Sequence, residues 1–137
     1  MNISYNKLYD SEDDFIAYIN HSYPKNNLGI IWFSGLNSDM NGTKVSKLSS
    51  YAQQNNINFC KFDYFGHGKS SGDIEDGIIS KWLENGLSVI DNICNGHLIL
   101  VGSSMGAWLA LLCSLQRKKR IKGIILLAPA VDMTERL

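Results

Sequence analysis

Two short segments of this 137-residue chain are continuously apolar, and they limit the folds that the chain can adopt. They read LILV at 98–101 and GIILLA at 123–128. A strand that is apolar at every position is typical of a central strand in a parallel sheet, because helices cover both faces there. Parallel neighbours also need a long crossover, which is usually a helix. We therefore expect an α/β fold with a mostly parallel sheet and helices on both faces.

The other apolar and amphipathic stretches continue this alternation along the chain. The predicted strands read FIAYIN at 15–20, LGIIWFSG at 28–35, INFCKFDYF at 57–65, HLILV at 97–101 and KGIILLAP at 122–129. The predicted helices span about 43–54, 78–93 and 105–116. The segment GHGKSSGD at 66–73 has the glycine and serine density of a loop. Strands that alternate with helices of this length predict βαβ units within one domain.

Composition restricts the kinds of partner that the chain can have. It carries 13 basic and 13 acidic residues, so no broad charge attracts nucleic acid or an acidic membrane, and any partner must be recognised at a local site. The longest apolar runs, such as 121–131, are shorter than the roughly 20 residues of a membrane span. The first residues, MNISYNKLYDSEDD, lack the apolar centre of a signal peptide. We therefore expect a cytoplasmic protein.

The three cysteines, Cys60, Cys94 and Cys113, lie far apart in the sequence. There is no C-x-x-C pair and no histidine at the spacing of a zinc site, so we expect neither a metal nor a disulfide framework, and no cofactor. We predict that all three are small buried apolar residues. The alternative, that one of them is a reactive thiol, remains open.

The segment GSSMG at 102–106 separates a predicted strand from a predicted helix and fits the pattern G-x-S-x-G. A strand that turns directly into a helix holds the central serine, Ser104, in a strained conformation with its hydroxyl exposed. Gly102 and Gly106 lack the Cβ atoms that would collide in so tight a turn. We predict that Ser104 is the nucleophile of an acyl transfer; the alternative is an ordinary strand-to-helix turn.

A serine nucleophile also needs donors for the negative charge that develops on the substrate oxygen. One donor would be the backbone N–H of Met105, at the start of the helix that follows Ser104. The other usually comes from the loop after an earlier strand. That loop is SGLNSDMNGTK at 34–44, where Leu36 can present its N–H. The alternative is an Asx turn that caps the next helix.

Four motifs in this order resemble the α/β-hydrolase superfamily. More narrowly, the chain resembles the branch with the abhydrolase-domain palmitoyl-protein thioesterase and acyl-glucuronide esterase of mitochondria, and its bacterial relatives. The motifs are SGLNSDMNGTK at 34–44, FDYFGHGKSSG at 62–72, ILVGSSMGAWLALL at 99–112 and LLAPAVDMTERL at 126–137. The resemblance implies hydrolysis of an ester or thioester through an acyl-enzyme at Ser104. It also implies that Leu36 and Met105 are the oxyanion donors and that Asp63 and His67 are scaffold.

The residues that would activate Ser104 are missing from the expected place. In this superfamily the chain order is serine, then an acid, then histidine, yet every histidine here (His21, His67 and His97) precedes Ser104. Asp132 is a weak candidate for the acid, and Glu135 is a weaker one.

We therefore expect residues 1–137 to form a single incomplete domain, the N-terminal part of the fold, with the strand at 122–129 uncovered at an edge. Such a chain would be inactive alone, or dependent on a companion chain that completes the sheet. The alternative is a non-catalytic hydrolase remnant or interaction module.

Overall fold

The computed structural model of the chain describes residues 4–127, which form one six-stranded sheet with helices packed on both faces. The strands are β1 (Asn6–Tyr9), β2 (Phe15–His21), β3 (Leu28–Phe33), β4 (Asn58–Phe62), β5 (His97–Ser103) and β6 (Ile121–Leu127). The helices are α1 (Thr43–Gln54), α2 (Ile79–Asn92) and α3 (Met105–Gln116), and a single 3-10 turn spans Ile74–Asp76. The predicted strands and helices all lie where the sequence indicates them.

The strands are arranged in the order β1-β2-β4-β3-β5-β6. β4, β3, β5 and β6 run parallel to one another, whereas β1 and β2 pair antiparallel at one side. The prediction of a mostly parallel α/β sheet is therefore confirmed. Because neighbouring parallel strands end at the same edge, the loops that follow β3, β4 and β5 meet there.

The apolar residues of β3 alternate between two cores. Ile31 and Phe33 face a core that α2 and α3 cover, and Ile30 and Trp32 face a second core that α1 covers. Each fully buried side chain of this size stabilises the fold by about 1.5–3 kcal/mol. A strand with helices on both faces needs apolar side chains at every position, which explains the continuous apolar runs.

Two strands differ from the sequence-based expectation. β1 was not predicted, because NKLY is only four residues long and mixes polar with apolar residues, and it forms a strand by pairing with β2. Residues 123–127 of the segment GIILLA, predicted as a central strand, form part of β6, which pairs only with β5 among the described residues. The side chain of Ile125 in β6 is 49% exposed. β6 therefore lies at the sheet edge within residues 4–127, where the sequence also places an uncovered strand.

All three cysteines are buried and unpaired, so we predict that they are inert toward thiol reagents in the folded protein. A hydrogen bond with the Cys94 thiol and burial raise the pKa of the Cys60 thiol, and burial raises the pKa of Cys113 to about 12. The thiolate is the reactive form, so labelling by a chromogenic disulfide at neutral pH will be slow. All three will react once the chain is unfolded in guanidinium. Rapid labelling of one thiol in the native protein would support the reactive-thiol alternative.

Candidate active site at the turn between β5 and α3

Ser104 occupies the turn between β5 and α3 in a backbone conformation that serine rarely adopts. Its φ is 56° and its ψ is −120°, a strained combination that costs on the order of 1–3 kcal/mol for a residue with a side chain. Two hydrogen bonds hold it there: Ser104 N–H donates to the Leu127 carbonyl, and Ala107 N–H donates to the Ser104 carbonyl, both at 3.0 Å. The side chain is exposed. The turn therefore presents the hydroxyl to solvent.

The two flanking glycines make this turn possible. A Cβ on Gly106 would collide with the carbonyl oxygen of Phe33, and one on Gly102 would collide with the carbonyl oxygen of Gly106 itself. The first turn of α3 thus lies directly against the backbone at the end of β3. The steric reason that the G-x-S-x-G pattern suggests for its glycines is present in the structure.

The loop that follows β3 lies beside Ser104. A Cβ on Gly35 would be 3.5 Å from both the Ser103 carbonyl oxygen and the Ser104 Cβ, and the next residue is Leu36. Within residues 4–127 neither Leu36 N–H nor Met105 N–H has a hydrogen-bond acceptor. Both predicted donors are therefore available next to the serine.

A cleft of about 350 Å³ opens between this loop, the start of α1 and the serine turn. Ser104 and Leu36 line it, together with the charged residues Asp39 and Lys44. Both belong to the motif SGLNSDMNGTK, and that position is the only sequence signal that they line a cleft. The cleft has the size of a small-ligand site.

The segment after β4 holds the loop after β3 through three side chains. Tyr64 Oη donates to the Ser34 carbonyl at 2.8 Å, and His67 Nε2 accepts from Asn37 N–H at 3.0 Å. Asp63 Oδ1 accepts from Met40 N–H at 2.8 Å. The FDYFGHG motif therefore serves as scaffold for the loop that contains Leu36.

The Asp63 carboxyl is 1% exposed, and its second oxygen accepts from Lys69 N–H at 2.9 Å. Burial raises its pKa, and the hydrogen bonds from Lys69 and Met40 act in the opposite direction. Such a carboxylate, fully engaged by backbone donors, is suited to fixing a loop rather than to exchanging protons with a substrate.

None of the three histidines hydrogen-bonds to Ser104. His21 ends β2, and His97 begins β5, a full strand length away from the serine. His67 is buried, and both of its ring nitrogens face backbone groups. Asp132 and Glu135, the two acid candidates, lie outside the described residues. The structure thus places the predicted nucleophile beside the predicted oxyanion donors and shows no acid–base partner among residues 4–127.

Within residues 4–127 no three histidine, cysteine, aspartate or glutamate side chains converge as metal ligands. In the same part of the chain, every helix is too short or too polar to cross a bilayer.

Both the sequence and the fold of this chain match those of known proteins. Residues 25–137 match the family described as serine aminopeptidase, S33. The chain belongs to this family, within the α/β-hydrolase superfamily. This confirms the resemblance stated from the motifs, and the described sheet corresponds to the N-terminal part of that fold.

Individual relatives give the same assignment. Over 104 residues, the chain is 38% identical to palmitoyl-protein thioesterase ABHD10, mitochondrial, from Bos taurus. The matched region covers 76% of this chain and 34% of that protein. Alpha/beta hydrolase domain-containing protein 10 from mouse superposes with a TM-score of 0.88 at 32% identity, over 98% of this chain and 55% of that one. A putative hydrolase from Agrobacterium vitis S4 superposes with a TM-score of 0.85 at 36% identity, over 98% of this chain and 56% of that one. The chain thus spans about a third of the length of the curated relatives that it matches.

The close contact at Gly106 predicts a large effect of adding one methyl group. In Gly106→Ala the new Cβ would collide with the Phe33 carbonyl and lie 2.5 Å from the Ser34 carbonyl oxygen, so backbone must move. We expect the free energy of unfolding to fall by about 1–3 kcal/mol in urea titrations. Gly123→Ala in β6 is the matched control, because its Cβ would make only an ordinary contact, 3.7 Å from Ile99 Cγ1. The control should not lower stability, since alanine is favoured over glycine within a strand. Equal effects would contradict the packing argument.

Proposed function

We propose that this chain carries the nucleophile and the oxyanion hole of a serine hydrolase that cleaves carboxylic esters or thioesters. The observation that carries the proposal is Ser104, held at φ 56° with its side chain exposed and with the Leu36 loop beside it. Family membership supports the same conclusion, since the matched family and its relatives are described as hydrolases.

The reaction would proceed in two halves through Ser104. Its Oγ attacks the acyl carbon while a base takes the hydroxyl proton, and the N–H groups of Leu36 and Met105 stabilise the resulting oxyanion. The carbon–oxygen or carbon–sulfur bond then breaks, and the alcohol or thiol leaves with that proton. Water attacks the acyl-serine in the same way, which releases the carboxylic acid and restores the hydroxyl. The loss of one oxyanion donor typically lowers the rate by about 10²–10³-fold.

A histidine base for Ser104 would have to come from outside these 137 residues, because all three histidines of the chain lie elsewhere. We propose that additional polypeptide, joined to this chain or separate from it, supplies the histidine and pairs with the edge of β6. Asp132 remains the candidate acid within the chain. The chain alone would then be inactive or would retain only the activity due to the oxyanion hole, about 10³-fold above the reaction in water.

For the substrate we propose an acyl thioester or acyl ester with an extended acyl chain. The bovine and human relatives are named palmitoyl-protein thioesterases, and the cleft beside Ser104 is open to small ligands. The cytoplasmic location expected from the sequence stays a prediction.

The second candidate is a non-catalytic hydrolase remnant or interaction module. One observation favours it: no histidine contacts the Ser104 hydroxyl within residues 4–127. In that case the exposed edge of β6 would be the functional surface, and the serine turn would be only a structural element.

Acylation of Ser104 tests the first candidate with the chain as it is. We expect p-nitrophenyl butyrate, with imidazole added as an external base, to transfer its acyl group to Ser104, detected by mass spectrometry of the digested protein. The rate should exceed that of the same serine in the unfolded chain by about 10³-fold, because the oxyanion donors are assembled only in the folded state.

Two variants serve as controls. Ser103→Ala removes the neighbouring hydroxyl and should leave the labelling intact, whereas Ser104→Ala should abolish it. If the folded and unfolded chains are acylated at Ser104 at equal rates, the turn has no catalytic competence and the non-catalytic alternative holds.

A further inference from the structure

We infer that His67 is a positioning residue: as a neutral imidazole it holds the Asn37 N–H and thereby fixes the Leu36 N–H at the oxyanion site. The structural part of this inference rests on hydrogen bonds within the described residues. Its consequence for catalysis rests on the function proposed above.

The contacts of His67 define its tautomer. Nδ1 lies 3.1 Å from the Phe65 carbonyl oxygen, which can only accept, so Nδ1 must carry the proton. Nε2 lies 3.0 Å from the nitrogen of Asn37, whose N–H can only donate, so Nε2 must offer its lone pair. Only the neutral ring with hydrogen on Nδ1 satisfies both partners. The ring is 4% exposed, so water cannot readily replace either bond.

Aromatic neighbours hold the ring in this orientation. The rings of Tyr64 and Trp82 both meet the imidazole edge to face, with centroid distances of 5.5 and 5.2 Å. Trp82 Nε1–H donates at 3.0 Å to the same Phe65 carbonyl that accepts from His67. His67 is therefore fixed before any substrate binds, which is what preorganisation requires.

The hydrogen bond of His67 lies next to the oxyanion donor. The loop is bound on one side at Ser34, whose carbonyl accepts from Tyr64, and on the other side at Asn37, which donates to His67. Only Gly35 and Leu36 lie between these two points, and neither has a hydrogen bond to the scaffold. The Leu36 N–H direction therefore depends on both bonds.

The bond to His67 also supports the backbone conformation of Asn37. Its φ is 61°, in the left-handed region, which asparagine tolerates better than most residues with a side chain but still adopts infrequently. Without an acceptor at Nε2 its N–H would lose its only partner among the described residues. The loop could then relax to an ordinary conformation, which would turn the Leu36 N–H away from Ser104.

Two substitutions at His67 separate the acceptor from the packing of the ring. His67→Phe keeps an aromatic ring between Tyr64 and Trp82 but has no acceptor, whereas His67→Gln places a carbonyl oxygen near the position of Nε2. We expect Ser104 acylation to fall by about 10²-fold in His67→Phe, the effect of one lost oxyanion donor. His67→Gln should recover at least a tenth of the wild-type rate. His21→Gln, which changes a distant histidine, is the matched control, and Ser104 in this variant should be acylated at the wild-type rate.

Isotope-edited NMR tests the same inference without any reaction. The wild-type His67 ring should show the Nδ1–H tautomer, and the Asn37 amide should be protected from hydrogen exchange in the wild type and in His67→Gln but not in His67→Phe. A ring protonated on Nε2 at neutral pH would overturn the inference even if both variants fail to fold. So would an acylation rate in folded His67→Phe equal to that of the wild type. If wild-type Ser104 is never acylated, the proposed function fails, while the NMR results still decide the role of His67.

Discussion

The site depends on the close approach of the first turn of α3 to the end of β3. Gly106 lies against the carbonyl groups of Phe33 and Ser34 with no room for a side chain. Phe33 is paired with Gly102 in the sheet, so the same contact closes the turn on both sides of Ser104. Because β3 and β5 are parallel neighbours, the loop after β3 must leave the sheet beside this turn. One backbone contact therefore places Ser104, the predicted nucleophile, beside the loop that contains Leu36.

The second requirement is that the loop after β3 keeps one shape, and its own sequence does not provide this. The loop contains the flexible residue Gly35, Asn37 is at positive φ, and few hydrogen bonds join residues within the loop. Its shape is determined by side chains that follow β4, on the other side of β3, through Asp63, Tyr64 and His67. Backbone groups buried away from water need partners, and here these side chains supply them. The site is thus built from three neighbouring strands and not from the serine turn alone.

Much of this arrangement could be predicted from the sequence, because it is encoded locally. The strand-to-helix transition around GSSMG and the loop residue Leu36 follow from patterns a few residues long. The partners of Asp63 and His67 could not be predicted in this way, since the bond between His67 and Asn37 joins residues 30 positions apart and depends on the strand order. The same limit applies to β1, whose short and mixed sequence forms a strand by pairing with β2. Nor could the sequence predict that the thiols of Cys60, in β4, and Cys94, just after α2, are neighbours.

The backbone of Ser104 bears on the choice between an enzyme and a non-catalytic remnant. Glycine would adopt φ 56° and ψ −120° with little penalty, whereas serine there costs on the order of 1–3 kcal/mol. The serine hydroxyl forms no hydrogen bond within residues 4–127, so the side chain does not recover this energy through structure. A turn whose only purpose was to connect β5 to α3 would be more stable with glycine at this position. The strain therefore supports the proposed reaction at the hydroxyl rather than a purely architectural role for the turn.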